Sequence, residues 1–168
     1  RLALVNDDED ELARAADGLR EIAHARDVPL VITGHAVLVE RLGLDGVHLS
    51  DGARNVRATR KALGADAIIG AYCGASRHDG LSAGESGADY VAFGPMGDHA
   101  LLPGPRAEFA LFEWWSQMIE LPVVAEGALD RDLIAAIAPV TDFFAIGNEI
   151  WRADDPVAAL RDLIAPIR

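Results

Sequence analysis

Cysteine is almost absent from this sequence, with Cys73 the single one in 168 residues. One thiol excludes an intrachain disulfide framework and fits a reducing compartment, so we expect a cytoplasmic protein. Long apolar runs are also missing, since no uninterrupted run reaches the roughly 18 residues of a membrane-spanning helix. There is no initiator methionine, and Arg1 to Val5 are too short for a signal peptide. These opening residues are typical of a strand already in progress, so we expect a further segment before them.

Positive charge is scarce, since 15 Lys and Arg residues face 27 Asp and Glu residues and the net charge is -12. This balance argues against nucleic acid or an anionic membrane as a partner. An anionic substrate must therefore be held by local features of a site. Apolar residues make up 51% of the chain, which predicts a folded protein, and the length suits one domain over residues 1–168.

The most informative stretch that is present runs from Gly87 to Pro95. It predicts a buried strand, Tyr90–Phe93, that is entered through small residues and ends at Gly94-Pro95. Residues 44–50 and 140–147 repeat the pattern of an acidic residue, an apolar strand and a small or polar end. Repetition of strand, short loop and helix predicts a parallel sheet.

Seven predicted strands alternate with helices along the chain. The strands are residues 2–5, 28–32, 46–49, 67–71, 90–93, 122–125 and 142–146; the helices are about residues 9–26, 37–42, 53–63, 78–86, 108–120, 130–138 and 156 onward. Such a run fits a wound open sheet or a (β/α)₈ TIM barrel with its first unit missing or incomplete. The expected preceding segment favours the α/β barrel, because an open flavodoxin-like sheet needs only about five units.

Four motifs give the chain a resemblance to a known family. They are Asp45-Gly46-Val47-His48-Leu49, residues 63–70, Gly87-Ala88-Asp89-Tyr90 through Gly94-Pro95, and residues 121–125. In order and spacing they resemble thiamine phosphate synthase and its thiazole tautomerase relatives, through Asp154-Asp155-Pro156 and the last helix. The resemblance implies a barrel with its active site at the carboxyl ends of the strands. It also implies a transferase that joins hydroxymethylpyrimidine diphosphate to thiazole phosphate, with magnesium as cofactor.

The chain differs from the family pattern where that pattern handles diphosphate and metal. The stretch 4–8, matched to the family's Arg- and Lys-bearing second strand, contains no cation. Thr33-Gly34 stand where the family ends its third strand with Asn-Asp, and Tyr72 replaces a serine. Asp51 is the remaining carboxylate near the family's second metal position. The resemblance therefore implies a divergent member, with Asp51 as a metal candidate and Thr33, Tyr72 and Gly94 lining the substrate pocket.

The resemblance also places a phosphate site in the loops after the last two strands. Gly127, Ala128, Gly147 and Asn148 occupy these loops. Glycine-rich turns and helix N-termini bind phosphate through main-chain N–H groups, without a net positive charge. We therefore expect a small phosphorylated molecule as the ligand.

Acid–base chemistry has four candidates: Glu126, His48, Asp98 and His99. Two alternatives to the transferase stay open, namely a thiazole tautomerase-like isomerase and a non-catalytic binder of a phosphorylated thiazole or thiamin. Structural interpretations compete for single residues: His48 as an interior histidine, Asp98 and His99 as a solvated loop, Cys73 as a structural thiol, and residues 7–10 as a helix cap. Trp114 and Trp115 cannot both face the core, so one of them, like Leu101-Leu102, is a candidate contact of a homo-oligomer.

Overall fold

The computed structural model describes residues 1–3, 8–97, 102 and 104–167. Two helices follow the sixth strand within these residues, and as far as that strand helices and strands alternate along the chain. They are α1 (Glu9–His24), β1 (Val31–Thr33), α2 (Leu38–Leu42), β2 (Gly46–Leu49), α3 (Val56–Leu63), β3 (Ile68–Tyr72), α4 (Arg77–Glu85), β4 (Tyr90–Phe93), α5 (Phe109–Met118), β5 (Val123–Glu126), α6 (Arg131–Ile137), β6 (Phe143–Ala145), α7 (Asn148–Trp151) and α8 (Pro156–Leu163). Short 3₁₀ turns follow α6 and α8.

All six strands are parallel and pair in sequence order from β1 to β6. Leu2 extends this order, because its N–H donates to Val31 and its carbonyl accepts from Thr33 in a parallel bridge beside β1. The predicted barrel arrangement is confirmed. Of the predicted first strand only Leu2 and Ala3 are described, since residues 4–7 lie outside the described part.

Side chains alternate between the two faces of the sheet, and one face is packed against the helices. On this outer face Ile32, Val47, Ile69, Val91 and Val123 are fully buried, and they form the centre of the core. Aromatic packing extends the core to α5, as the Phe93 ring meets Phe112 and Trp115 edge-on, with ring centroids 5.7 and 5.0 Å apart. The side chains on the other face of the sheet point into the barrel interior.

The two neighbouring tryptophans of α5 face different surroundings, as predicted. Trp115 is buried and its indole N–H donates to the carbonyl of Leu121. Trp114 is only partly buried at the edge of the core, where its ring meets Trp115 edge-on, and the Arg77 guanidinium lies 4.0 Å from the centroid of its ring. The cation covers one face of the indole ring, and a contact of Trp114 with a partner chain stays a prediction.

Three aspartates explain the repeated pattern of an acidic residue before an apolar strand. The carboxylates of Asp45, Asp89 and Asp142 accept the main-chain N–H of Leu30, Ile69 and Val123, at 2.6, 2.6 and 2.8 Å. The three aspartates come directly before β2, β4 and β6. The N–H groups that they accept lie at the starts of β1, β3 and β5, the neighbouring strands. The pattern therefore fixes strand register at the amino ends of the sheet.

The acidic helix caps follow the sequence prediction, while one strand begins three residues later than predicted. Asp8, Ser76, Asp130 and Asp155 cap α1, α4, α6 and α8 through side-chain oxygens, which confirms the acidic run before α1 as a cap. The strand predicted from Val28 begins at Val31, because Val28 is 52% exposed and does not join the ladder. Across the described residues, the helices are all too short or too polar to cross a membrane.

Candidate active site at the carboxyl ends of the strands

Because all strands run in one direction, their carboxyl ends meet at a single rim. Thr33, Tyr72 and Glu126 are the last residues of β1, β3 and β5, and Gly94 and Gly147 follow β4 and β6 closely. The topology thus brings most of the predicted site residues together. Asp98 and His99 lie outside the described residues, so their catalytic roles stay predictions.

A histidine and a tyrosine fill the barrel interior below the rim. His48, Gly70 and Tyr90 are register partners on β2, β3 and β4. The Tyr90 ring crosses over Gly70 and stacks on His48, with 5.7 Å between ring centroids and 2.9 Å between the hydroxyl and Nδ1. A methyl group at Gly70 would lie 2.0 Å from Tyr90 Cζ, so glycine is required at this position.

Burial keeps this pair uncharged. His48 is 2% exposed, and burial, followed by the nearby positive charge of Arg1, lowers the pKa of its imidazole to about 3. Burial is also the main reason that the pKa of Tyr90 is raised to about 12. His48 is therefore a neutral interior histidine, in line with the structural interpretation, and it forms part of the floor of the site.

Glu126 lies at the end of β5 with its side chain only 3% exposed, and it is bound to a cation. The Arg1 guanidinium donates to Glu126 Oε2 at 2.8 Å. Sequence reasoning missed Arg1, because it searched residues 4–8 for the cations of this strand, whereas the residue that bridges to β1 is Leu2. This contact places the Arg1 guanidinium, 33% exposed at its side chain, beside a buried carboxylate in the barrel interior.

The predicted pocket residues on β1, β3 and β4 differ in what they offer a ligand. Tyr72 donates its hydroxyl to the carbonyl of Gly94 at 2.7 Å, and burial, then Glu126, raises its pKa to about 12. A methyl group at Gly94 would lie 2.3 Å from the carbonyl oxygen of Glu126, so glycine there allows close strand approach. Thr33 Oγ1 is buried with no hydrogen-bond partner among the described residues, and its place in a substrate pocket stays a prediction.

The loops after β5 and β6 also lie side by side. Gly127 and Ala128 both have positive φ, +90° and +54°, which turns the β5 loop sharply. Gly147 and Leu129 direct their N–H groups at one side chain, that of Glu149, at 2.7 and 3.1 Å. The predicted phosphate loops are therefore brought together, and the sequence analysis missed Glu149 between them.

Part of the long loop 94–106 covers these turns. A methyl group at Gly127 would lie 2.7 Å from Leu102 Cδ1, so Leu102 sits directly over Gly127. The N–H of Met96 donates to the carbonyls of Glu126 and Gly127, which ties the start of the loop to the rim. The described residues Met96 and Leu102 therefore lie against the rim at the end of β5.

Magnesium is the metal that the family implies, and oxygen atoms of the kind that it prefers lie near the ends of β2 and β3. A cavity of about 460 Å³ is lined by Ser50, Asp51 and Ser76 from the loops after β2 and β3, and by Asp79 from the first turn of α4, among others. Magnesium is usually held by one or two carboxylates together with water and substrate phosphates. The two carboxylates and two hydroxyls fit this chemistry, although no group of three or more His, Cys, Asp or Glu converges in the part of the chain that the structure covers.

Comparison with known proteins assigns the chain to a family. The thiamine monophosphate synthase family matches residues 5–149. The chain belongs to this family. It is 42% identical over 158 residues to the thiamine-phosphate synthase of Erythrobacter litoralis, covering 90% of this chain and 73% of that protein. It is 36% identical over 167 residues to the thiamine-phosphate synthase of Rhodospirillum centenum, covering 96% and 80%.

A solved structure shows the same fold. The thiamine phosphate pyrophosphorylase of Pyrococcus furiosus superimposes with a TM-score of 0.86 over 98% of this chain and 79% of its own, at 20% identity. Orotidine 5′-phosphate decarboxylase from Pyrococcus horikoshii, at 14% identity, gives a TM-score of 0.66 over 94% and 82%. The resemblance read from the four sequence motifs is thus confirmed for this thiamine monophosphate synthase family member.

Proposed function

We propose that this chain catalyses the thiamine phosphate synthase reaction, in which hydroxymethylpyrimidine diphosphate and thiazole phosphate are joined and pyrophosphate leaves. The observation that carries the proposal is the Arg1 guanidinium, held inside the barrel by Glu126 just below the rim. In a chain with a net charge of -12, a diphosphate needs such a local cation. Guanidinium groups bind phosphate oxygens through paired, charge-assisted hydrogen bonds.

The diphosphate side of the site is assigned to the rim near Asp51 and Asp79. These two carboxylates would hold magnesium, which would neutralise negative charge on the leaving pyrophosphate. Arg1 donates to the phosphate oxygens, and Glu126 sets the orientation of its guanidinium. With pKa values near 12, Tyr72 and Tyr90 stay protonated and uncharged beside the reacting carbon.

The thiazole phosphate is assigned to the loops after β5 and β6. Gly127, Ala128, Gly147 and Asn148 form adjoining turns whose main-chain N–H groups suit an anionic oxygen. Leu102, packed on Gly127, helps to exclude water from this side. The ligand class is therefore a small phosphorylated molecule, and the buried thiol of Cys73 suits a cytoplasmic location. A homo-oligomer stays a prediction.

The test is a pyrophosphate-release assay with both substrates, with and without magnesium. We expect magnesium-dependent product, and we expect Arg1→Gln to lower kcat/KM by at least about tenfold, the scale of one lost charge-assisted contact. Arg57→Gln, on the exposed surface of α3, is the matched control and should keep its activity. Absence of any magnesium-dependent product would overturn the proposal. Binding of thiazole phosphate without condensation would then favour the binding-protein alternative, and its isomerisation the tautomerase-like one.

A further inference from the structure

Glu149 lies between the two loops assigned to the thiazole phosphate and uses both of its carboxylate oxygens there. Oε2 accepts the N–H of Gly147 at 2.7 Å, and Oε1 accepts the N–H of Leu129 at 3.1 Å. One N–H belongs to the loop after β6 and the other to the loop after β5. A carboxylate of the protein therefore occupies one N–H group in each of the two loops that are assigned to the phosphate.

We propose that Glu149 is the residue that sets phosphate affinity at this subsite, by competing with the ligand for these two N–H groups. The inference rests on the proposed function, which assigns the phosphate of the substrate to the same loops. Hydrogen bonds from N–H groups to an ionised acceptor are stronger than those between neutral groups, so the carboxylate must be displaced before a phosphate oxygen can replace it. Its charge also repels an arriving phosphate dianion.

The structure allows this displacement. Glu149 is only partly buried, so its side chain already contacts solvent, and we expect it to rotate outward when a ligand replaces it. Its neighbour Ile150 is buried and anchors the short helix α7, so the main chain of the loop stays in place when the carboxylate leaves. The two N–H groups would then point at the ligand from both loops.

The experiment is calorimetric titration of the protein with inorganic phosphate and, separately, with thiazole phosphate. Wild type, Glu149→Ala and Glu149→Gln are compared. We expect Glu149→Ala to bind either ligand at least about tenfold more tightly, because two charge-assisted hydrogen bonds no longer have to be broken. Glu149→Gln, which lacks the charge but keeps one acceptor oxygen, should fall between the two.

Asp132→Asn is the matched control. Asp132 is exposed in the first turn of α6, close to Leu129, so this variant removes one negative charge near the subsite without vacating a donor. Its affinity should stay close to that of wild type. If Asp132→Asn gained as much affinity as Glu149→Ala, the effect would come from the loss of any nearby negative charge, and the inference would be overturned.

The remaining outcomes separate the inference from the proposed function. If wild type binds phosphate and Glu149→Ala binds equally or more weakly, Glu149 is a brace between the loops, and the inference fails while the phosphate subsite stands. If wild type and both Glu149 variants all fail to bind either ligand, the subsite assignment fails and the inference with it. Should Glu149→Ala lose its fold by circular dichroism, Glu149→Gln decides, since it must still bind more tightly than wild type.

Discussion

Gly70→Ala tests whether the barrel interior is organised around the Tyr90 ring. The added methyl group would lie 2.0 Å from Tyr90 Cζ and 2.3 Å from its hydroxyl oxygen, far inside contact distance. The ring must therefore move away from β3. Movement separates the hydroxyl from His48 Nδ1, a 2.9 Å contact at a histidine that is 2% exposed.

Two effects set the size of the loss. Overpacking a well-filled interior costs about 1–3 kcal/mol. Leaving the buried His48 Nδ1 without a partner costs about 1–3 kcal/mol more. Because the ring can relax partly toward the open rim, we expect a total loss of about 2–5 kcal/mol in the free energy of unfolding, measured by urea denaturation.

A double-mutant cycle with Tyr90→Ala isolates the clash. In the Tyr90→Ala background, where no ring crosses over β3, Gly70→Ala should cost much less than in wild type. Gly18→Ala is the matched glycine control, since it lies in α1 with nothing within 4 Å of the added carbon, and it should stabilise the protein by about 0.5–1 kcal/mol. An equal cost of Gly70→Ala in both backgrounds would refute the packing argument.

Two further predictions concern stability. The pKa of the His48 imidazole is about 3 in the folded chain, against 6.5 ordinarily, so the unfolded chain takes up a proton at higher pH than the folded chain does. The stability that the neutral imidazole contributes is complete above about pH 6.5. It is lost as the pH falls toward 3, at up to about 1.4 kcal/mol per pH unit. Urea melts at about pH 7 and about pH 5 should show a smaller loss for His48→Asn than for wild type, and equal losses would contradict the assignment. Arg60 donates hydrogen bonds to the carbonyls of Gly87 and Ala67 and to the carboxylate of Asp89. Arg60→Lys should therefore lower the free energy of unfolding by about 2–3 kcal/mol, measured by thermal melts. The control Arg57→Lys, at an exposed position, should leave it unchanged.

The architecture was readable from sequence because its signals are local and repeated. The strand Tyr90–Phe93 and the strand Gly46–Leu49 were predicted with their observed bounds, since buried parallel strands are short apolar runs with sharp ends. The helix cap at Asp130 was also predictable, because its carboxylate accepts the N–H of Leu133, only three residues along the chain. The start of β1 was misplaced because an apolar residue such as Val28 carries no information about whether a neighbouring strand reaches it.

The site was less predictable, because its residues meet only through the fold. Arg1 and Glu126 are 125 positions apart, and nothing near either residue indicates the other. Asp79 was hidden in the first turn of a helix, where an acidic residue is ordinary. Glu149 follows two predicted phosphate residues, yet its second bond, to Leu129, depends on how two loops pack. Proximity across the rim is a property of the barrel rather than of any motif.

The aspartate contacts at the amino ends divide the sheet into three pairs, β1 with β2, β3 with β4 and β5 with β6. Each contact links residues only 15, 20 or 19 positions apart, so the alignment of a pair is encoded inside one strand–helix–strand unit. Such units can find their alignment through short chain loops, which close quickly, before distant parts of the chain meet. The barrel is in this sense built from three units whose alignment is local, whereas interior contacts such as His48–Tyr90 and Arg1–Glu126 join residues of different units.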